Sequence, residues 1–534
     1  MKKMSLPYPL FLVCGWIINF VLIPHPLDAK LNIRPLALED LRPEPEESNN
    51  LGDPQHSEAL PLEHERHRIR NGQAKMPTRS WKPSMAHTIQ LKVTPEHQKL
   101  GQTIEGFGGS IAFWGTNPDD QAMHHALNEL NVSIVRAQGE VSPRGVSDHN
   151  REVLQRAMKI NPQLQILLTF WQPRSLKLLK KSDWLDIIEG NQGNQYSLRK
   201  SMEDSWADEI VHRTKQYLDW GIRVTTLGVQ NETNYSKVGG QTCIWDPYRL
   251  RDFIEQKLKP RLDRADIKVK IAAPDLAFIG YKGSELSRFL PTIRSPAVDV
   301  VAYHMYDSYK EGMDGSIAVL TKNSRRIGQI REQEFPRKEF WMTETTGAQW
   351  NNDTWHTYGW TPGANEFDKA ILAAQYAHMT LAEARANVFM WWGLIYSPAP
   401  EWKKNQKARQ KHRDEGLVLV EQKVGPNGRQ LFLEKTKKFY VFKQFSRFLA
   451  PGTKRIEINS PEPLWVSAYL NEEKKQGIII AVNPGKQKVR LQLGLPNNHS
   501  TIEAFQTDNQ LNCEPVHAMD PLPGKSVRTY LYFL

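Results

Sequence analysis

The stretch "VTTLGVQNETNY" delivers an amide and a carboxylate, Asn231 and Glu232, just as a run of apolar, β-prone residues stops, and "EFWMTE" does the same with Glu344. A lone Asn-Glu pair is common, so its meaning depends on what surrounds it. In a closed barrel of parallel strands, polar side chains at the C-terminal strand ends share one cleft. Two carboxylates facing each other there suit the cleavage of a glycosidic bond. One protonated carboxyl donates to the leaving oxygen, and one ionised carboxylate attacks the anomeric carbon or activates water. A gap of about 5 Å gives retention and a wider gap gives inversion; retention is expected here. Trp171, Tyr303, Tyr306, Trp391 and Trp392 fall near the same strand ends. Sugars pack their C–H faces on such rings, so the set suits a carbohydrate better than a phosphate.

The pattern between these residues supports a barrel. Apolar strand candidates "TIEGFGGS", "VSIVRAQG", "LQILLTFWQP", "VTTLGVQN", "VKIAAPD", "VDVVAYHMY", "EFWMTE" and "NVFMWWGL" alternate with stretches such as "SWADEIVHRTKQYLDW" and "FDKAILAAQYAHMTLAEARA". Those stretches carry apolar residues at three-to-four spacing, the mark of helices with one buried face. Eight strands with intervening helices predict an α/β fold, a (β/α)8 TIM barrel. A doubly wound nucleotide-binding sheet is disfavoured, because "GFGGS" lacks the spacing of a dinucleotide turn. The C-terminal runs "LWVSAYL", "GIIIAVNP", "KVRLQLGL" and "SVRTYLYFL" predict an attached all-β sandwich, which "TIQLKVTP" from before the barrel is expected to join.

At 534 residues with 40% hydrophobic content, the chain is long enough for one large domain and a smaller one. The opening places Lys2 and Lys3 before an apolar run ending near Ile23, the pattern of an export signal, with an uncleaved N-terminal anchor as the alternative. Residues 30–86 are rich in Pro, Glu, His and Asn and read as a flexible linker. The domain expectation is a leader over 1–29, that linker over 30–86, the first sandwich strand over 87–100, the catalytic barrel over 101–450 and the sandwich over 451–534. Cys243 and Cys513, left after the leader, are too few for a disulfide framework.

The formal charge is +11, and the segment from Trp402 to Lys438 holds eleven Lys or Arg against four Asp or Glu. No stacking aromatics on a nucleic-acid module accompany it, so nucleic acid is excluded as a partner. A solvated loop and a subsite for an anionic substrate are the two readings that stay open.

In order, "QTIEGFGGS", "SIVRA", "VQNE", "FWMTE", "FMWWGL", "KQFSRFLAPGTKRIEI" and "LPGKSVRTYLY" resemble the motifs of the family-thirty glycoside hydrolases, retaining enzymes of the large barrel clan. The resemblance runs from about His87 to the end of the chain. It implies that Glu232 is the general acid/base, that Glu344 is the nucleophile and that Asn231 binds the 2-hydroxyl of the cleaved sugar. Arg136 would sit beside Glu344 and keep it ionised, Glu232 would need the opposite environment, and His304 matches a histidine position at the sixth strand.

The tail and the double tryptophan look most like the glucuronoxylanase branch, which cuts β-1,4-xylan beside a uronic acid. Two departures stand against a full match. The chain has "GLIYSPAPEWKKNQKARQKHRDEG" where that branch has its uronate loop, so Lys403, Lys404, Lys407 and Arg409 are the candidates to replace it. Thr233 stands where the family has proline, which also creates the sequon Asn231-Glu232-Thr233.

The combined expectation is a secreted or periplasmic, monomeric β-glycoside hydrolase acting on a cell-wall polysaccharide, with β-1,6-galactan or a β-glucoside as alternatives. A catalytically silent carbohydrate-binding protein is the rival of another class. No cofactor and no metal is called for, since two carboxylates and water suffice.

Overall fold

The computed structural model describes residues 87–93, 99–111, 118–139, 146–171, 173, 188–189, 197–235, 242–307, 316–346, 366–396, 415–425, 428–496 and 499–534. The expected leader, the linker and the lysines of the basic loop lie outside them. Among the described residues no helix is long and apolar enough to cross a membrane.

The strands follow in chain order as β1 (His87–Lys92), β2 (Leu100–Thr103), β3 (Gly106–Ser110), β4 (Ile134–Gln138), β5 (Gln165–Thr169), the two-residue β6 (Ile188–Glu189) and β7 (Ser197–Leu198), and β8 (Val224–Gly228). There follow β9 (Lys270–Leu276), β10 (Val300–His304), β11 (Glu339–Glu344), β12 (Val388–Tyr396), β13 (Gly416–Gly425) and β14 (Gly428–Lys435). The chain ends with β15 (Lys454–Ile456), β16 (Trp465–Asn471), β17 (Gln476–Asn483), β18 (Val489–Gly494), β19 (Ile502–Thr507), β20 (Asn512–Val516) and β21 (Ser526–Phe533). Strands β3, β4, β5, β8, β9, β10, β11 and β12 pair in parallel, and β12 hydrogen-bonds both β11 and β3, which closes the barrel. All eight expected barrel strands are present.

The expected strand "TIEGFGGS" is shorter than expected, because Thr103 closes β2 and only Gly106–Ser110 forms the barrel strand. Leu100–Thr103 joins the C-terminal sheet, and the barrel starts at Gly106. The glycines of β3 are there for closeness: a Cβ on Gly109 would stand 2.1 Å from the Trp391 carbonyl. Only a bare backbone lets β3 seal against β12 at that point. A second feature not foreseen is the antiparallel hairpin β13–β14, which pairs onto β12 and extends the barrel sheet through part of the basic segment. There Lys435 binds Glu129 and Lys438 binds Glu366, so these two cations hold the fold together.

Helices cover the barrel with one apolar face each. In Glu203–Asp219 the buried positions Trp206, Ile210, Thr214 and Tyr217 recur every three or four residues, which is one stripe of a helix. In Glu366–His378 nearly every residue from Phe367 onward is buried. Its alanines, Ile371, Leu372 and Tyr376 leave few polar positions to face solvent, and the helix packs against the helix Lys437–Ser446 and against β16, β17 and β21 of the C-terminal sheet.

The C-terminal domain is a seven-stranded sheet in the order β2-β15-β16-β17-β21-β19-β20, faced by the parallel pair β1–β18. Ile479 and Ala481 of β17 pack inside this sandwich with Ile89 and Leu491. Their neighbours Ile478, Ile480 and Val482 belong to the core that surrounds the barrel. Strand residues alternate between faces, so "GIIIAVNP" is apolar without a break because both of its faces are buried. The sandwich is thereby welded to the barrel through its own central strands. Replacing Ile480 by Ala should cost about 2–5 kcal/mol, and calorimetry of this variant and the parent should each show one unfolding transition. Two separated transitions would mean that the domains do not share a core.

Candidate active site

The inward face of the barrel changes character along each strand. Ile134, Leu167, Val300, Ala302, Trp341 and Met390 fill the lower part with apolar side chains. Two residues further on, the same inward positions are Arg136, Thr169, His304, Thr343 and Trp392. The period of two therefore stacks a polar layer directly over an apolar plug, at the C-terminal strand ends.

Arg136 stands at the centre of that layer, with its side chain 1% exposed. Its Nη1 donates to Glu344 Oε2, and its Nη2 donates to Asn231 Oδ1 at 2.6 Å and to Asp275 Oδ2 at 3.0 Å. Tyr306 donates its hydroxyl to the other Glu344 oxygen at 2.9 Å. His304 lies between the acids: Nδ1 is 3.2 Å from Glu232 Oε1 and 3.9 Å from Glu344 Oε1, while Nε2 is 3.3 Å from Asp275 Oδ1.

Glu232 itself lies just beyond β8, held by its N–H to the Asp275 carbonyl at 2.9 Å. Its φ of 53° is left-handed, uncommon for a residue with a long side chain. The absent proline costs this turn no anchor, because the buried Thr233 donates Oγ1 to the Pro274 carbonyl at 2.8 Å. Asn231 is 3% exposed and bound to Arg136, so in the folded protein the sequon is not presented to solvent.

Burial alone would lower the His304 imidazole, but the carboxylates of Glu344, Asp275 and Glu232 around it hold its pKa up at about 9. As an imidazolium it donates from both nitrogens. Asp275 is fully buried, yet His304, Arg136 and the Thr343 hydroxyl hold it well below the usual carboxylate range. For Glu344 the expectation needs correcting. Burial, with Glu232 adding to it, holds its carboxyl above the ordinary range, and His304, Arg136 and Tyr306 pull it back only in part.

Trp171 and Trp392 form one wall, their ring centroids 5.5 Å apart. Trp392 donates Nε1 to the Tyr396 hydroxyl at 2.7 Å, which in turn donates to Glu415 Oε2 at 2.7 Å. Tyr303 and Trp391, expected at the rim, are elsewhere. Each is one residue out of step with the inward positions His304 and Trp392, so each points outward into the core beneath the helices. Trp391 donates Nε1 to the Glu415 carbonyl there.

Sequence reading missed Asp275, Thr343, Tyr396 and Glu415. Asp275 had a signal, since "VKIAAPD" ends on an acid just as the strands bearing the two glutamates do.

One oxygen from each of Glu232 and Glu344 and a ring nitrogen of His304 lie within 4.8 Å of one another. Two carboxylates and an imidazole are a donor set for a divalent ion. Here the imidazole is held as a cation and Arg136 already supplies positive charge to Glu344, so the set is balanced by protein groups. What the arrangement offers is two adjacent carboxyls with different partners.

The fold matches that of solved glycoside hydrolases of family thirty. An endoxylanase of that family from Clostridium papyrosolvens C71 superposes with a TM-score of 0.58 at 18% identity, covering 84% of this chain and 100% of that one. An endo-β1,6-glucanase gives a TM-score of 0.58 at 16% identity, over 84% of this chain and 96% of that one. A conserved exported protein from Bacteroides fragilis gives 0.63 at 16% identity, over 81% and 98%. No protein-family model and no curated protein matches the chain.

Replacing Arg136 by Met leaves buried carboxylates without their cation, which should cost about 3–5 kcal/mol at neutral pH. The paired Asp275 has a lowered folded pKa, so its stabilisation is present above the unfolded value near 4 and is lost as pH falls. Acids stranded by the substitution have raised folded pKa values and destabilise most at high pH. The difference in melting temperature between parent and variant should therefore shrink from pH 7 to pH 5; a gap that widens would contradict the assignment.

Proposed function

We propose that this protein is a retaining β-glycoside hydrolase that cuts within a cell-wall polysaccharide, xylan first among the candidates. The observation that carries the reading is the pair of glutamates with oxygens inside 4.8 Å and unequal surroundings. Retaining enzymes hold their carboxyls about 5–5.5 Å apart, and inverting ones leave room for water between them.

The partners assign the roles. Glu344 takes a donor on each oxygen, from Arg136 and from Tyr306, which favours its ionised form as the nucleophile. Glu232, 3.2 Å from His304 Nδ1, takes the general acid/base role that the motif resemblance implies.

In the first step a Glu344 oxygen bonds to the anomeric carbon while the glycosidic bond breaks, and the leaving oxygen takes the Glu232 proton. In the second, Glu232 takes a proton from water, the hydroxyl adds to the anomeric carbon, and Glu344 is released. Arg136 binds Asn231 through Oδ1, which orients its amide, and Asn231 takes the role of binding the sugar 2-hydroxyl that the motif resemblance implies. Trp171, Trp392 and Tyr306 would surround that sugar.

Xylan is favoured by the motif resemblance and by the fold shared with an endoxylanase. A β-1,6-linked chain is the second reading, supported by the equal superposition on an endo-β1,6-glucanase. We place the protein outside the cytoplasm, exported by its apolar leader and working as a monomer. Lys403, Lys404, Lys407 and Arg409 are its candidates for contact with an acidic chain.

Glu344→Gln should lower kcat by at least about 10³-fold. Azide should rescue Glu344→Gly with release of the inverted glycosyl azide, whereas inverted product from Glu232→Gly would exchange the two roles. Product analysis on neutral and acidic xylans, β-1,6-glucan, β-1,6-galactan and aryl glucosides tests the substrate; no cleavage of any of them would remove the enzymatic reading.

A further inference from the structure

Between Arg136 and His304 lies a carboxylate that reaches neither glutamate. Asp275 is the penultimate residue of the fifth barrel strand, β9, with its side chain 2% exposed and its backbone at φ 57°, in the left-handed region that aspartate tolerates better than most residues. Both carboxylate oxygens and the main-chain carbonyl have partners. Oδ2 accepts from Arg136 Nη2 at 3.0 Å, and Oδ1 accepts from Thr343 Oγ1 at 2.5 Å and faces His304 Nε2 at 3.3 Å. Its main-chain carbonyl takes the Glu232 N–H at 2.9 Å.

The two cations it touches are close together, with Arg136 Nη2 and His304 Nε2 3.5 Å apart. At that distance like charges repel, and in a dry cleft solvent does little to screen them. An anion wedged between them removes the conflict. It also dictates where their remaining donors go: with one end of each cation held by Asp275, Arg136 Nη1 is directed to Glu344 and His304 Nδ1 to Glu232.

We propose that Asp275 is the positioning residue of the cleft, a buried anionic fork that holds Arg136 and His304 so that each serves a different glutamate. This rests on the glycosidase reading for its consequence in rate, but its hold on the two cations is independent of what the substrate is. Asp275 touches no reacting atom and acts through its neighbours. An asparagine of the same shape cannot replace it, because one amide atom would be a donor turned toward a cation. The groups facing His304 are Glu232, Glu344, Asp275 and Arg136, with the Tyr306 ring edge-on at 5.8 Å. Removing one of three carboxylates from that set must make the imidazole easier to deprotonate.

The test is Asp275→Asn in the full chain, read by two measurements beside a melting curve. Histidine-ring NMR, with His304 identified through His304→Gln, should place the parent imidazole near 9 and the variant about 1–3 pH units lower. Hydrolysis of the best substrate from the panel should show kcat lowered by about 100-fold with KM within about threefold, the pattern of misplaced reacting groups. An unmoved His304 titration overturns the proposal, even if kcat falls, because that combination marks a merely structural role. A kcat within about threefold of the parent overturns it as well. If the variant does not fold, the parent titration decides: an imidazole charged above pH 8 supports the wedge, and one neutral at pH 7 overturns it. Should the parent cleave nothing in the panel, the glycosidase reading fails, while the NMR result still judges the fork.

Discussion

One guanidinium organises the mouth of this barrel. Arg136 reaches Glu344, Asn231 and Asp275 at once, and those three residues come from three different strand ends. Burying so many charges has a high desolvation cost, which is met only when each one finds partners of good geometry. The barrel supplies that geometry because its inward positions are fixed by a rigid hydrogen-bonded ring. The apolar plug of Ile134, Leu167, Ala302, Trp341 and Met390 beneath keeps water from entering from below. The polar layer is therefore stable only as a complete set, and its members must be chosen together.

Much of this was legible in the sequence because the barrel converts position along a strand into position in space. Glu232 and Glu344 were found by one rule, that polar residues ending apolar strands share a cleft, Arg136 came through the family resemblance, and the eight strands were found by their alternation with amphipathic helices. The same rule failed for Tyr303 and Trp391. It says which end of a strand a residue occupies but not which face, and a shift of one residue sends a ring outward. Register against the neighbouring strands decides that, and it depends on pairings such as His304 with Glu344, which no single segment contains.

Other misses have different physical origins. Asp275 obeys the strand-end rule, yet its importance comes from lying between two cations that belong to other strands. Glu415 acts through Tyr396 and through its own carbonyl, from a position just ahead of a hairpin that read as basic loop. The loss of Thr103 from "TIEGFGGS" to the edge strand Leu100–Thr103 leaves no mark, since a four-residue edge strand and a glycine-rich barrel strand look alike when written in one line. The lysines of the hairpin region read as free surface charge, although Lys438 is buried against Glu366.

The left-handed backbone at Glu232 sets what this turn would accept in its place. A non-glycine residue held in that region carries on the order of 1 kcal/mol or more of backbone strain, which glycine avoids because it lacks a Cβ. The turn itself would therefore accept glycine without strain, so the carboxyl at this position is kept at a conformational cost that the backbone does not require.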